Sequence, residues 1–173
     1  MSEIHGLSQR GGSVSVDVRT GDIRSPIPLC SALDLLLAFE PLEAARFRRC
    51  LRDGASVLVS DEKLPPIWLG IRRMEYPDMR SLFGDESERL KVHIVPAKEL
   101  AESSGGYRMI NSVMLGAAFS LGVLEVSIDS IEKSIMDVLG DRNATANLRA
   151  FHMGAQSMAL KETEYMEQTR KNP

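Results

Sequence analysis

Alternating apolar and polar positions predict a strand near the start of the chain. Val14, Val16 and Val18 alternate with polar residues, which is the two-residue period of a strand with one buried face. A turn signal follows at residues 20–22, and residues 23–25 are predicted to return as a short antiparallel partner. Before the strand we expect only a Gly-rich polar loop, with no regular element.

Continuous apolar runs predict a parallel sheet. Residues 33–39, 55–60 and 91–95 are short and rich in aliphatic side chains, as is typical of strands covered on both faces. Between the first two runs, the pattern predicts a helix over residues 41–52, ended by Gly54. A strand, a helix and a second strand in this order form a βαβ unit, whose two strands are parallel.

The last third of the chain is predicted to be helical. Residues 107–121 are apolar nearly all round, so this helix should be buried. Ser112, Gly116 and Ser120 recur every four residues and form a stripe of small side chains, against which another backbone can pack closely. For this reason Gly116→Leu is expected to cost about 1–3 kcal/mol by overpacking.

Two more helices are predicted after the buried one. Ser127 is suited to cap a helix with an apolar face over residues 128–139, which Gly140 ends. A final helix or helix pair is predicted over residues 143–168. The fold class is therefore α/β: one three-layer domain over residues 1–173, with a mostly parallel (mixed) sheet and a helical C-terminal third.

Composition and charge narrow the classes of function. The chain has 173 residues, of which 43% are hydrophobic and 26% charged, and its net charge is −3. This charge lacks the basic footprint of a nucleic-acid-binding protein, and the richest apolar stretch, residues 109–121, is too short to span a bilayer. The first residues lack the pattern of a secretory signal. Because Cys30 and Cys50 cannot form a disulfide framework, a cytoplasmic location is expected.

The most pointed local signal for binding is a loop near the amino terminus. Gln9, Arg10, Gly11 and Gly12 follow His5 at short distance. Two glycines allow positive φ and close backbone approach, and arginine supplies a planar fork of five donors. Such a loop could cradle a carboxylate, phosphate or diphosphate. It could equally be a turn packed against a neighbouring chain.

Other polar residues suggest no complete site. In open α/β sheets, ligands bind beyond the carboxyl ends of the strands, and here those ends carry Glu40, Asp61 and Pro96. No pair of these positions forms a self-contained acid/base or nucleophilic site. The three histidines do not stand at metal-ligand spacing. The sequence therefore predicts no catalytic residue and no metal site in this chain.

Several collinear stretches together resemble one family. They are HGLSQRGGSVSVDVR (5–19), SPIP (25–28), LDLLLAFEPLEAAR (33–46), LRDGASVLVSDEKLPPI (51–67), VHIVPAKELA (92–101), NSVMLGA (111–117), SIDSIEKSI (127–135) and NLRAFHMG (147–154). The chain resembles the gamma-type subunit of 2-oxoacid:acceptor oxidoreductases. Within that family, the H-G-x-x-Q-R-G-G-S-V segment is most similar to the aromatic branch, the beta subunits of indolepyruvate:ferredoxin oxidoreductases.

The resemblance implies a role in a complex. Such holoenzymes use thiamine diphosphate to decarboxylate an aryl 2-oxoacid, pass electrons through iron–sulfur clusters to ferredoxin, and transfer the acyl unit to coenzyme A. These cofactors are expected on the larger partner subunit, with none on this chain, which would be accessory. The residues that match the family pattern, with an expected role at an interface or in loop geometry, are Gln9, Arg10, Gly11, Gly12, Asn111 and Gly116.

One departure and one alternative accompany the resemblance. Family members begin with a strand, a G-x-G-G-Q-G loop and a helix, whereas this sequence starts at the segment after them. We therefore expect an incomplete N-terminus, lacking roughly one strand plus helix, about 30 residues. The alternative function is an independent module that binds a small ligand or nucleotide with the Arg10-Gly11-Gly12 loop.

Overall fold

The computed structural model describes residues 2–5, 14–22, 32–84 and 88–171, with the backbone alone at residues 2–5, 68, 80 and 160–171. The strands are Ser2–His5 (β1), Val14–Asp17 (β2), Leu33–Ala38 (β3), Leu51–Ser60 (β4) and Lys91–Val95 (β5). The α-helices are Pro41–Phe47 (α1), Ile67–Ile71 (α2), Met79–Phe83 (α3), Ala97–Ser104 (α4), Ile110–Ser120 (α5), Ile128–Leu139 (α6) and Asp141–Lys171 (α7). Short 3₁₀ turns occupy Arg48–Cys50 and Tyr107–Met109.

The predicted parallel sheet is present, with strand order β3-β4-β5. Successive side chains of β4 point to opposite faces, and both faces are covered. Val57 and Val59 pack with α1 and α3 on one side, whereas Leu58 packs with α4, α5 and α7 on the other. All three side chains are fully buried. The α/β prediction, with helices on both faces and a helical C-terminal third, is confirmed.

The amino-terminal prediction needs two corrections. A regular element does precede the loop, because β1 pairs with β2 as a separate antiparallel sheet, with His5 opposite Val14. The predicted return strand at residues 23–25 lies outside the described residues. The half-buried face is also wrong: Val14 is 61% exposed and Val18 70%. The alternation correctly indicated a strand, but in the described part of the chain its apolar face remains in solvent.

The helix predicted over residues 41–52 is too long. It ends at Phe47, and β4 already begins at Leu51, which is fully buried. Gly54 does not end a helix. With φ +76° it sits in an irregular part of β4, where Leu33 pairs with Leu51 but Leu35 pairs with Ser56. Glycine adopts this left-handed conformation without steric cost, so the extra residues of β4 can bulge while both ends stay in the sheet.

The prolines at positions 65, 66 and 77 predict an irregular segment over residues 64–78, but the segment contains the short helix α2. A short helix that the sequence predicts over residues 79–83 is present as α3. The sequence predicts helix caps at Ser127, at Gly140 and, after a helix that Pro96 opens, at Gly105, and these caps are confirmed. The Ser127 side chain accepts a hydrogen bond from the amide of Ser130, and Gly105 and Gly140 follow α4 and α6 with positive φ. Beyond Gly140, α7 runs as one helix from Asp141 rather than as a helix pair.

The small-residue stripe on α5 packs against α7, as predicted. A Cβ added at Gly116 would lie 1.8 Å from the carbonyl oxygen of Phe151, and one added at Gly154 would lie 2.0 Å from that of Val113. The two helices therefore touch backbone to backbone at reciprocal glycines. Ser112 reinforces the crossing, since its buried hydroxyl donates to Oδ1 of Asn147 at 2.7 Å.

Candidate functional site

Glu40, at the carboxyl end of β3, caps the helix that follows it. Only 8% of the residue is exposed, and its Oε2 accepts a hydrogen bond from the amide of Glu43 at 2.9 Å. Pro41 occupies the first turn of α1, where its missing N–H costs nothing. A carboxylate at a helix N-terminus also interacts favourably with the helix dipole. Glu40 therefore contributes to the start of α1.

Tyr76 completes the surroundings of Glu40. Its hydroxyl donates to Oε1 of Glu40 and accepts from the amide of Leu42 at 3.2 Å. Burial, followed by the hydrogen bond to Glu40, raises the pKa of Tyr76 well above its ordinary value. The ammonium of Lys63 lies 5.3 Å from the centre of the Tyr76 ring, within cation–π range. Tyr76 is 36 residues from Glu40, and no motif in the sequence connects the two.

A second polar cluster lies at the carboxyl ends of β4 and β5. An open groove of about 410 Å³ is lined by Asp61, Glu62, Lys63, Lys98, Glu99 and Glu102. The ammonium of Lys98 is 3.4 Å from Oε1 of Glu62. Hydrogen bonding to Glu62 raises the pKa of Tyr107, and partial burial adds to this shift. Sequence reasoning pointed to Asp61 through its strand-end position, but it missed the residues that α4 supplies.

Two carboxylates at this edge of the sheet are held by contacts within the chain. Glu40 is engaged by Tyr76 and an amide, and Glu62 by Lys98 and Tyr107. Among the described residues, no three His, Cys, Asp or Glu side chains are grouped so as to hold a metal ion. These engaged carboxylates orient loops and helices at the end of the sheet.

The remaining predicted residues are not brought together with Glu40. Asn111 is exposed at the start of α5, and Gly116 is buried where α5 crosses α7. Both belong to the opposite side of the sheet from α1. His5 is in β1, paired with Val14. Gln9, Arg10, Gly11 and Gly12 lie outside the described residues, so their predicted role as a ligand or interface loop stays a prediction.

Four arginines crowd the helix predicted over residues 41–52, and their pattern predicts a solvated face that complements the helix dipole: Arg46, Arg48, Arg49 and Arg52. In the structure, three of them have separate contacts. Arg46 pairs with Glu43 at 3.1 Å. Arg48 donates to the carbonyls of Ala45 and Leu82 and so connects α1 to α3. Arg52 is in β4 and pairs with Asp34 of β3 at 2.6 Å. The solvated-face prediction is therefore wrong for Arg48, which is half-buried.

Comparison with known proteins identifies the class. The pyruvate ferredoxin/flavodoxin oxidoreductase family matches residues 1–157, and the chain belongs to this family. It is 37% identical over 155 residues to the indolepyruvate oxidoreductase subunit IorB of Methanothermobacter thermautotrophicus, covering 89% of this chain and 79% of that protein. The IorB subunit of Archaeoglobus fulgidus is 32% identical over 155 residues, with 88% and 77% covered.

Solved structures share the fold. A keto/oxoacid ferredoxin oxidoreductase gamma subunit from Geobacter sulfurreducens superposes with a TM-score of 0.53 at 22% identity, covering 73% of this chain and 64% of that one. A 2-oxoglutarate:ferredoxin oxidoreductase from Magnetococcus marinus gives a TM-score of 0.55 at 19% identity, covering 75% of this chain and 20% of that one. These likenesses establish the three-layer α/β fold. No described helix combines the length and apolar character needed to cross a membrane.

Proposed function

We propose that this chain is the accessory subunit of an indolepyruvate, or more broadly aryl 2-oxoacid, ferredoxin oxidoreductase. The observation that carries the proposal is the 37% identity to an indolepyruvate oxidoreductase subunit, which extends over 89% of this chain. The geometry of the sheet edge supports it, because Glu40 and Glu62 are held in internal contacts that organise α1 and α4. The chain then contributes a folded surface to the complex, and the reacting groups come from its partner.

The cofactors are assigned to the larger subunit. Thiamine diphosphate supplies the carbanion chemistry of oxidative decarboxylation when bound. Iron–sulfur clusters are held by about four cysteine thiolates each, and this chain has two cysteines. The clusters that carry electrons to ferredoxin therefore fit the larger subunit, and the acyl group is transferred to coenzyme A in the same complex. We further propose that the complex works in the cytoplasm, in anaerobic metabolism.

Co-expression with the larger thiamine-dependent subunit tests this proposal. With an affinity tag on this chain and purification under anaerobic conditions, the larger subunit should elute with it in a fixed ratio. The tagged chain expressed alone and the untagged larger subunit expressed alone are the controls. If a folded chain fails to retain the larger subunit, the proposal is wrong.

A further inference from the structure

The segment that leaves β4 carries an exposed apolar surface. Ile67 and Ile71 lie one helical turn apart on α2, and they are 84% and 77% exposed. Leu64 and Met74 flank the helix in the chain, and each is more than half exposed. We call these four residues the α2 patch. Large apolar side chains grouped in this way on a surface typically mark an interaction site.

The α2 patch is presented by an ordered support. Leu69, in the middle of α2, is buried. The amide of Met74 donates to the carbonyl of Leu69, and that of Arg73 donates to Gly70, which is the paired bonding of a Schellman helix end. Further along, the hydroxyl of Tyr76 is fixed by Glu40. The exposed isoleucines therefore belong to a folded helix whose carboxyl end is held by these contacts.

Cations surround the α2 patch. Lys63, Arg72 and Arg73 are all exposed, against one exposed anion in the same stretch, Glu75, and neither arginine forms an ion pair with a described residue. Arg73 has φ +50° and is the non-glycine residue with positive φ in the described part of the chain. Glycine is the usual residue at this position of a helix end. The fold would therefore favour glycine at position 73, and the arginine suggests a role outside the fold.

The charge pattern favours a protein partner of opposite charge. If two copies met through this patch, its excess of positive charge would face an equal excess on the other copy, because an isologous contact uses one surface twice. An anionic membrane is disfavoured as well, because lipid-binding segments cluster about four to eight basic residues, whereas this patch has three and the chain carries a net charge of −3. A partner protein with an apolar groove could bury the isoleucines, and carboxylates along the rim of that groove could pair with the arginines.

We propose that the α2 patch is the surface through which this chain docks on its larger partner subunit, into an apolar groove bordered by carboxylates. This inference rests on the proposed function and adds the location and chemistry of the contact. The patch follows directly from β4, so docking there brings the partner to the carboxyl edge of the sheet, beside Glu40 and Tyr76.

The test uses the full chain co-expressed with the larger subunit. In the double variant Ile67→Asp/Ile71→Asp, the amount of larger subunit retained should fall at least about tenfold, as expected on losing central apolar anchors. Val138→Asp is the matched control: Val138 is 79% exposed on α6, and this variant should retain the partner. Circular dichroism and melting curves should show all three proteins folded.

The variant Arg73→Gly distinguishes a role of Arg73 in docking from a role in folding. Relief of the left-handed backbone strain should raise the melting temperature of the chain, whereas loss of the cation should reduce retention of the partner about threefold or more in a wash at about 300 mM NaCl. A purely structural role for Arg73 would leave that retention unchanged.

Each contrary result has its own meaning. If the wild type binds the larger subunit and the double variant binds it equally, docking through the α2 patch is wrong while the proposed function stands. If the wild type does not bind, both fail. If sedimentation shows that the wild type self-associates and the double variant does not, the patch binds a second copy of this chain instead. If the wild type floats with phosphatidylglycerol–phosphatidylcholine vesicles, the patch binds a membrane instead.

Discussion

Two helical regions of this protein use apolar residues in opposite ways. Where α5 crosses α7, Gly116 and Gly154 let the two backbones touch, and Phe151 beside them is fully buried. On α2, Ile67 and Ile71 remain in solvent although an ordered helix presents them. The first region tolerates no added atom, and the second has open space around its glycine, Gly70. Apolar content alone thus does not distinguish a core helix from an interaction helix; the space around each helix does.

The two regions should differ most in stability when one glycine in each is replaced by alanine. Gly116→Ala places a Cβ where the Phe151 carbonyl stands, so α5 and α7 must separate, and the free energy of unfolding should fall by about 3 kcal/mol. Because even a Cβ collides with backbone here, Gly116→Leu should cost more than the range expected for it from the sequence. Gly70→Ala, on a helical and open position, should instead raise it by about 0.5–1 kcal/mol. Urea denaturation of both variants measures the contrast. Equal changes at the two positions would contradict the distinction drawn between the regions.

A smaller effect is expected at the polar contact of the same crossing. Ser112→Ala removes the donor to Oδ1 of Asn147, which is buried between α5 and α7, and should cost about 1–3 kcal/mol. Ser134→Ala removes an exposed hydroxyl on α6 that bonds within its own helix, and should change stability by less than about 0.5 kcal/mol. A loss at Ser134 as large as that at Ser112 would show that burial is not the cause.

Apart from the comparison variants Gly70→Ala and Ser134→Ala, the smallest effect in neutral solution concerns the anchor of the α2 segment. Tyr76→Phe removes the hydroxyl shared by Glu40 and Leu42, and at neutral pH should cost about 1 kcal/mol. Burial and Glu40 raise the pKa of Tyr76 in the folded protein. The unfolded chain therefore loses this proton first, and stability contributed by the neutral hydroxyl is present below about pH 10 and declines as pH rises above it.

Urea titrations between about pH 9 and pH 11 test this sign. The wild type should lose stability over this range more steeply than Tyr76→Phe. Tyr107→Phe is the control, because Tyr107 is 46% exposed and its removal should change the slope less. Identical slopes in wild type and Tyr76→Phe would show that Tyr76 ionises alike in the folded and unfolded states.

Local patterns predicted the interior of the protein well. The strands at β3 and β5, the all-round apolarity of α5 and its small-residue stripe have their cause within a few residues of sequence, and they are confirmed. Cover on both faces is confirmed for β4 but is wrong for β5, which lies at one side of the described three-stranded sheet and leaves Ile94 41% exposed. The boundary between α1 and β4 was missed for a physical reason. Arg48 to Arg52 suits a helix by propensity, but burial of Leu51 and the positive φ of Gly54 draw this stretch into the sheet.

The contacts at the sheet edge could not be predicted in the same way. Tyr76 reaches Glu40 across 36 residues, and Lys98 of α4 reaches Glu62 after β4. Such pairs depend on tertiary placement, which neither periodicity nor spacing encodes. The exposed valines of β2 show the same limit. Their alternation with polar residues identifies a strand, but it does not identify what covers the strand.

The most direct test of the account is indolepyruvate-dependent electron transfer, measured as anaerobic reduction of ferredoxin in the presence of coenzyme A. The co-expressed pair should reduce ferredoxin. The larger subunit alone, and the pair carrying Ile67→Asp/Ile71→Asp, should each show less than about a tenth of that rate. Equal rates with and without this chain would contradict its role as a subunit of the oxidoreductase.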